Sequence, residues 1–188
     1  MRVIAGQFRS RILHAPRGMD VRPTSDRLRE TLFNVLAPRF EEPTVFLDLY
    51  AGSGAVGIEA LSRGARESIF VEQAATPMKF IRSNLSSLGI RGGYALEQRS
   101  VSDALHRLAE QSRTADIIFL DPPWSQLSEY AGTLGLLGGE CIAVLAPSAV
   151  VIAEHEKRHG LHERYGVLDR IRMLKQGDGA LSFYAVTT

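Results

Sequence analysis

The sequence has one cysteine and no long apolar run, and each absence excludes a class of protein. Cys141 is the single thiol, so no intrachain disulfide is possible, and it stands in no cluster with metal-ligand spacing. No apolar run approaches the ~20 residues needed to span a bilayer. The first residues lack the apolar core of a signal peptide, so we expect a cytoplasmic protein without a metal ion.

Charge is unevenly distributed along the 188 residues. The whole chain carries a net charge of +1, but residues 1–39 hold eight arginines against three acids and carry +5. Such an asymmetry predicts a basic extension that meets an anionic partner. We therefore divide the chain into a basic N-terminal extension, 1–38, and a second domain, 39–188. The candidates for phosphate contact are Arg9, Arg11, Arg22, Arg27 and Arg29.

The extension predicts a β-hairpin followed by a helix. Residues 2–5 and 8–13 alternate as strands around a turn at Gly6-Gln7. Thr24, Ser25 or Asp26 can cap a helix that runs to about Leu36, where Pro38 stops it.

The rest of the chain alternates strands with helices, which predicts a doubly wound, Rossmann-like α/β fold with a mostly parallel sheet. At the C-terminus 167–174 and 181–186 form a predicted hairpin, so the last strand runs antiparallel to its neighbour. The predicted strands are 45–50, 68–72, 94–98, 117–120 and 149–153, and the predicted helices are 55–63, 76–88, 102–110 and 127–137.

A glycine-rich segment follows the first strand. Gly52, Gly54 and Gly57 have the spacing G-x-G-x-x-G, and Glu72 ends the next strand, 20 residues after Gly52. This pattern is typical of dinucleotide sites, in which the acid binds ribose hydroxyls. Taken alone, it favours an NAD(P)-dependent oxidoreductase.

Asp48 argues against a dinucleotide, because its carboxylate lies in the strand that leads into the glycine turn and would repel a pyrophosphate. A cofactor with an ammonium group and a sulfonium centre is attracted instead. S-adenosylmethionine fits, with Glu72 on the ribose diol and Asp48 at the positive end, directly or through water. Asp103 is either an acceptor for the adenine amino group or a plain helix cap.

The tetrapeptide Asp121-Pro122-Pro123-Trp124 directly follows a predicted buried strand. Ligand sites in open α/β sheets lie at the carboxyl ends of strands. Proline has no N–H and a fixed φ, so the backbone carbonyls here are held still. A carboxylate, fixed carbonyls and a flat ring suit a planar nucleobase with an exocyclic amino group. The alternative is a proline loop that ends a strand, with Trp124 merely packed.

Four segments resemble the RsmD family, and the resemblance covers nearly the whole chain. Residues 48–65 resemble the family's cofactor motif, 121–124 its catalytic motif, 2–11 its opening hairpin and 22–34 its first-helix signature. The resemblance implies a bacterial enzyme that uses S-adenosylmethionine to methylate N2 of a guanine in 16S ribosomal RNA, at position 966. It also implies a partly or fully assembled small subunit as substrate, and we expect a monomer.

The site residues follow from these motifs. Asp121, Pro122, Pro123 and Trp124 are the expected catalytic residues. The family often has a second ribose-binding acid where this chain has Ala74, so ribose recognition rests on Glu72, with backbone contacts from Gln73. The expected cofactor-binding residues are Asp48, Tyr50, Ala51, Gly52, Ser53, Gly54, Glu72, Gln73, Asp103 and Ala104.

Three alternatives remain at this stage. An adenine-N6 methyltransferase acting on DNA or RNA presents the same kind of exocyclic amine to the tetrapeptide. An NAD(P)-dependent oxidoreductase would use the glycine loop. A non-catalytic ribosome-binding factor would keep the fold without the chemistry, although intact Asp48, Glu72 and Asp121 argue against it.

Overall fold

The computed structural model describes residues 1–15 and 26–187 and consists of two compact units, Met1–Arg99 and Ser100–Thr188. The predicted boundary between residues 38 and 39 falls inside the first unit. Within the described residues we find no helix whose length and apolar character would carry it across a bilayer.

The first unit contains three parallel strands in the order β3-β2-β1. Their register pairs Val45 with Glu67 and Ser68 with Tyr94. All five residues of β1 are buried, as expected for a parallel strand covered on both faces. The elements are α1 (Asp26–Leu36), a 3-10 helix (Ala37–Glu41), β1 (Val45–Leu49), α2 (Ala55–Ser62), β2 (Glu67–Val71), α3 (Ala75–Ser87) and β3 (Tyr94–Glu97).

The N-terminal segment is an irregular hairpin rather than the two full strands predicted. Arg2 pairs with Ile12 in one antiparallel bridge, and the residues between are mostly turns and bends. The cause is a close approach to α2: Gln7 N–H donates to the Ser62 carbonyl at 2.8 Å. A Cβ at Gly6, whose φ is +82°, would lie 1.9 Å from the same carbonyl oxygen. Only glycine fits there.

This segment contributes to the core of the first unit. Val3 and Leu13 are buried in one apolar cluster with Ile58, Phe70 and Ile81. The helix α1 also buries apolar side chains, those of Leu28, Leu32, Phe33 and Leu36. Its predicted caps Thr24 and Ser25 lie outside the described residues.

The second unit has strand order β4-β5-β8-β7-β6. β4 and β5 are parallel, and β8 runs antiparallel to both β5 and β7. The hairpin between β7 and β8 turns at Gly177-Asp178. The elements are α4 (Val101–Glu110), β4 (Ala115–Leu120), α5 (Leu127–Leu137), a 3-10 helix (Ile142–Val144), β5 (Leu145–Glu156), β6 (Arg164–Tyr165), β7 (Leu168–Gln176) and β8 (Gly179–Val186).

The predicted fold class, α/β with a mostly parallel sheet and antiparallel C-terminal strands, is confirmed. The prediction for β5 was too short, because Glu154 and His155 look like the start of a polar loop. In the structure both are buried, and their backbones pair with Leu181 and Ala180 of β8. The two-residue strand β6 was not predicted.

Candidate active site

The glycine loop between β1 and α2 has an unusual backbone. Tyr50, Gly52 and Gly54 all have positive φ, at 62°, 56° and 79°. Positive φ is costly for tyrosine, and such residues concentrate at ligand sites. A Cβ added at Gly52 would meet only the Tyr50 carbonyl oxygen, at 4.0 Å, so the space beside Gly52 is open. The loop therefore exposes backbone at the end of β1.

Gly57 and Asp48 fix the loop to the sheet. A Cβ at Gly57 would lie 2.3 Å from Cε1 of Phe70, so α2 approaches β2 more closely than any side chain allows. The Gly57 N–H donates to Oδ2 of Asp48 at 2.8 Å, and Asp48 is only 2% exposed. Asp48 therefore has a structural role in holding the first turn of α2, besides the cofactor role that the sequence predicts.

The carboxylate of Glu72 connects two backbone segments. Its Oε2 accepts the Gly52 N–H at 2.9 Å, and its Oε1 accepts the Ala74 N–H at 2.7 Å. Each carboxylate oxygen has a second lone pair, so Glu72 keeps the capacity to accept ribose hydroxyls. Gln73 and Ala74 are exposed beside it.

These contacts bear on the choice between cofactors. A dinucleotide site offers its loop N–H groups to a pyrophosphate. Here the N–H groups of Gly52 and Gly57 donate to carboxylates, and that of Gly54 donates to the Ala51 carbonyl at 2.7 Å. A loop whose amides are engaged by two neighbouring carboxylates, Asp48 and Glu72, fits the cationic S-adenosylmethionine better than an anionic pyrophosphate.

Asp103 and Ala104 lie in the first turn of α4, in the second unit. The N-cap is Ser100, whose Oγ accepts the Asp103 N–H at 3.1 Å, so the plain-cap alternative for Asp103 is wrong. The Asp103 side chain is exposed. Ala104 is fully buried and its N–H donates to the Ser100 carbonyl at 3.0 Å, which leaves it little to offer a cofactor.

The tetrapeptide occupies the loop that leaves β4, as predicted. Pro122 is buried, Asp121 and Trp124 are partly buried, and Pro123 is exposed. The Pro123 carbonyl accepts the Gln126 N–H at 2.8 Å, which closes the loop before α5. The Tyr130 hydroxyl lies 3.3 Å from the Pro122 carbonyl oxygen. The loop is thus held by contacts from α5, and the Pro122 carbonyl has a defined direction.

The five candidate arginines separate into different environments. Arg9, Arg11 and Arg27 are exposed. Arg29 is 1% exposed and donates to the Arg2 carbonyl and to Asp26, so it is a structural residue and its prediction as a phosphate contact needs correction. The physical reason is that α1 turns Arg29 towards the N-terminal segment. Arg22 lies outside the described residues.

Two buried polar residues of the first unit were not anticipated from the sequence. Both Glu59 carboxylate oxygens accept backbone N–H groups, from Ile4 at 2.7 Å and from Ala5 at 3.0 Å. The Asn84 side chain accepts the His14 N–H at 2.9 Å and donates to the Ser53 carbonyl at 3.0 Å. Asn84 thereby joins the N-terminal segment to the glycine loop.

A signal for both residues existed in the sequence. Asn84 stands among the apolar positions of its helix, three residues after Ile81, which itself follows Met78 by three. Glu59 stands between Ile58 and Ala60 in a helix that is apolar almost all round. A polar side chain on a buried helix face must find partners, so such positions indicate long-range hydrogen bonds.

Known proteins resemble this chain along nearly its whole length. The family model described as Conserved hypothetical protein 95 matches residues 1–185. The Ribosomal RNA small subunit methyltransferase D of Escherichia coli (strain K12) is 38% identical over 163 residues, 86% of this chain and 77% of that protein. The protein of the same name from Haemophilus influenzae is 37% identical over 159 residues, 84% of this chain and 79% of that protein.

A solved structure also resembles this chain along nearly its whole length. A hypothetical protein of Thermus thermophilus superposes with a TM-score of 0.82 at 28% identity, over 97% of this chain and 98% of that one. The fold and the glycine loop with its acid define an S-adenosylmethionine-dependent methyltransferase. Within that class the chain belongs to the RsmD family. The predicted family, fold class and cofactor are thus confirmed.

Proposed function

We propose that this protein methylates small-subunit ribosomal RNA at the exocyclic N2 of one guanine, the guanine at position 966. The observation that carries the proposal is the Asp121–Trp124 loop at the end of β4, with its carboxylate, its oriented carbonyl and its aromatic ring. The names of the relatives support ribosomal RNA as the substrate.

S-adenosylmethionine supplies an electrophilic methyl group when bound. Glu72 is the residue that holds its ribose, since the carboxylate already stands at the end of β2 with lone pairs to spare. The backbone from Tyr50 to Gly54 lines the same end of β1, and Asp48 contributes negative charge beneath it. Two further contacts with the cofactor are proposed, one from the backbone of Gln73 and one from the carboxylate of Asp103.

The tetrapeptide of the second unit binds the exocyclic amine of the guanine. An exocyclic amine is a weak nucleophile because its lone pair is delocalised into the ring. The Asp121 carboxylate and the Pro122 carbonyl accept its two N–H groups and favour a pyramidal nitrogen with a directed lone pair. Much of the rate comes from this positioning. Asp121 takes the proton after the nitrogen has become cationic, so a strong base is not required.

The base must leave its helix before it reaches these groups. Trp124 stacks on the unpaired guanine and contributes roughly 1–3 kcal/mol. The exposed Arg9, Arg11 and Arg27 contact RNA phosphates as part of an RNA-facing extension over residues 1–38. The substrate is a partly or fully assembled small subunit, and the enzyme acts as a cytoplasmic monomer.

The deciding experiment is mass spectrometry of small-subunit RNA from cells with and without the gene. Loss of one N2-methylguanine on deletion, restored by the purified enzyme with S-adenosylmethionine, is the expected result. Loss of N6-methyladenine instead would identify the protein as an adenine-N6 methyltransferase. Unchanged RNA together with small-subunit binding would identify a non-catalytic ribosome-binding factor. Transfer to isolated subunits but not to naked RNA would define the assembled particle as the substrate.

A further inference from the structure

Tyr130 connects three elements of the second unit through one hydroxyl group. It is the fourth residue of α5 and is 1% exposed. Its Oη lies 2.9 Å from the carbonyl oxygen of Glu154 in β5 and 3.3 Å from that of Pro122, which follows β4. One phenol therefore fixes the start of α5, the end of β5 and the Pro122 carbonyl of the tetrapeptide loop.

The two distances differ, and the difference leaves the Pro122 carbonyl able to accept a second donor. A phenol has one proton, and the nearer acceptor, Glu154, takes the larger share of it. The Pro122 carbonyl receives a weaker interaction and keeps acceptor capacity for a second donor. Pro122 is a buried residue with a fixed φ, so this contact orients its carbonyl without saturating it.

The ring of Tyr130 is itself held rigidly. It meets the ring of His155 edge to face, with centroids 6.4 Å apart. His155 is buried, and its two nitrogens lie 2.9 Å from Ser182 Oγ and 2.9 Å from the Glu156 carbonyl. Burial lowers the pKa of His155, so the imidazole that packs against Tyr130 stays neutral near pH 7. The hydroxyl thus has little freedom to leave the two carbonyls.

We infer that Tyr130 is a positioning residue for methyl transfer, which acts by aiming the Pro122 carbonyl at the substrate amine. The inference rests on the proposed function, since it assigns Pro122 the role of amine acceptor. Tyr130 does not touch the substrate. Its effect falls on the rate of the chemical step, because small errors in the position of a reacting group reduce rates steeply while leaving binding intact.

A second buried tyrosine provides a matched control. Tyr184 is fully buried in the same unit, and its hydroxyl donates to the His162 carbonyl at 2.8 Å. Tyr184→Phe therefore removes the same kind of hydrogen bond without touching the tetrapeptide loop. Any loss that Tyr130→Phe shows beyond this control reports on the two carbonyl contacts of its hydroxyl, of which the one to Pro122 reaches the tetrapeptide loop.

The experiment measures methyl transfer from labelled S-adenosylmethionine to small subunits isolated from cells without the gene, below the melting temperature of each variant. Tyr130→Phe should lower kcat at least tenfold, with the KM for subunits and the Kd for cofactor within twofold of wild type. Tyr184→Phe should keep kcat within twofold. Tyr130→4-aminophenylalanine restores a donor at the same ring position and should recover most of the lost kcat.

Equal kcat in Tyr130→Phe and wild type would overturn the inference. So would an equal fractional loss of kcat in Tyr184→Phe. If Tyr130→Phe does not fold, the 4-aminophenylalanine variant decides, and a tenfold loss in that folded variant would reject positioning. The methylated nucleoside is identified separately. A product other than N2-methylguanine would contradict the proposed function, while the ratio of kcat values would still decide the role of Tyr130.

Discussion

The fully buried carboxylate of Glu59 accepts the backbone N–H of Ile4 at 2.7 Å, across 55 residues of chain. Its other oxygen accepts the Ala5 N–H and forms an ion pair with the Arg63 guanidinium at 2.8 Å. The N-terminal segment is therefore part of the folded core of the first unit, and Glu59 secures it together with Ser62 and Asn84.

Glu59→Ala should reduce the free energy of unfolding by about 3 kcal/mol, because two backbone N–H groups lose their acceptor at a cost of roughly 1–3 kcal/mol each. Urea denaturation measures this loss. Glu30→Ala, which removes an exposed acid from α1, is the control and should change stability by less than ~0.5 kcal/mol. Equal stability of the two variants would contradict the role given to Glu59.

Glu72→Ala should weaken S-adenosylmethionine binding tenfold or more, because the ribose loses a charged acceptor and the Gly52 N–H loses its partner. Isothermal titration calorimetry measures the affinity. Gln73→Ala, a change in the neighbouring exposed side chain, should leave it within twofold, since only the backbone of Gln73 is proposed to take part. Binding of NADH without binding of S-adenosylmethionine would reverse the cofactor assignment.

Asp121→Ala should lower turnover at least a hundredfold while the cofactor Kd stays within twofold, because the carboxylate acts on the substrate amine. The readout is single-turnover methylation of small subunits. Ser125→Ala, an exposed change in the same loop, should keep near wild-type turnover. A near wild-type rate in Asp121→Ala would show that the carboxylate is structural and that the proposed chemistry is wrong.

The double variant Arg9→Ala with Arg11→Ala should bind small subunits more weakly, with a less steep dependence of affinity on salt, because fewer counterions are displaced from phosphate. Its melting temperature should change little, since both side chains are exposed and the variant loses only a surface hydrogen bond from Arg11 to the Ser87 carbonyl. Arg29→Ala should instead lower the stability, because the buried Arg29 guanidinium donates to the Arg2 carbonyl and to the Asp26 carboxylate. Unchanged affinity of the double variant across the salt range would locate the RNA surface elsewhere.

The stability of the protein should fall in mild acid because of His155. Burial lowers its pKa below the value of about 6.5 that it has in the unfolded chain, so the unfolded state binds the proton more readily. The stabilisation is present above pH ~6.5 and is lost as pH falls towards the folded pKa, at up to about 1.4 kcal/mol per pH unit. Urea denaturation of wild type and His155→Gln between pH 7.5 and 5 should show the steeper decline in wild type.

Much of the fold could be predicted because its signals are local. The alternation of apolar strands with amphipathic helices indicated a parallel α/β sheet, and most element boundaries agree within two residues. The errors occur where polar residues are buried: β5 continues through Glu154 and His155, which a single sequence does not distinguish from a loop. The irregular shape of the N-terminal hairpin was missed because it depends on the contact between Gly6 and Ser62. The local alternation of apolar and polar residues does not predict that long-range contact.

The sequence alone determined the glycine loop, the acid that follows it and the tetrapeptide after β4, because turn chemistry and strand ends depend on neighbouring residues. Tertiary structure alone decided the partners of the buried polar groups. Glu59 reaches Ile4 over 55 residues, Asn84 reaches His14 over 70, and Tyr130 reaches Glu154 over 24. The physical reason is that burial makes a hydrogen-bond partner obligatory, while only the folded chain determines which distant group lies close enough to serve as that partner.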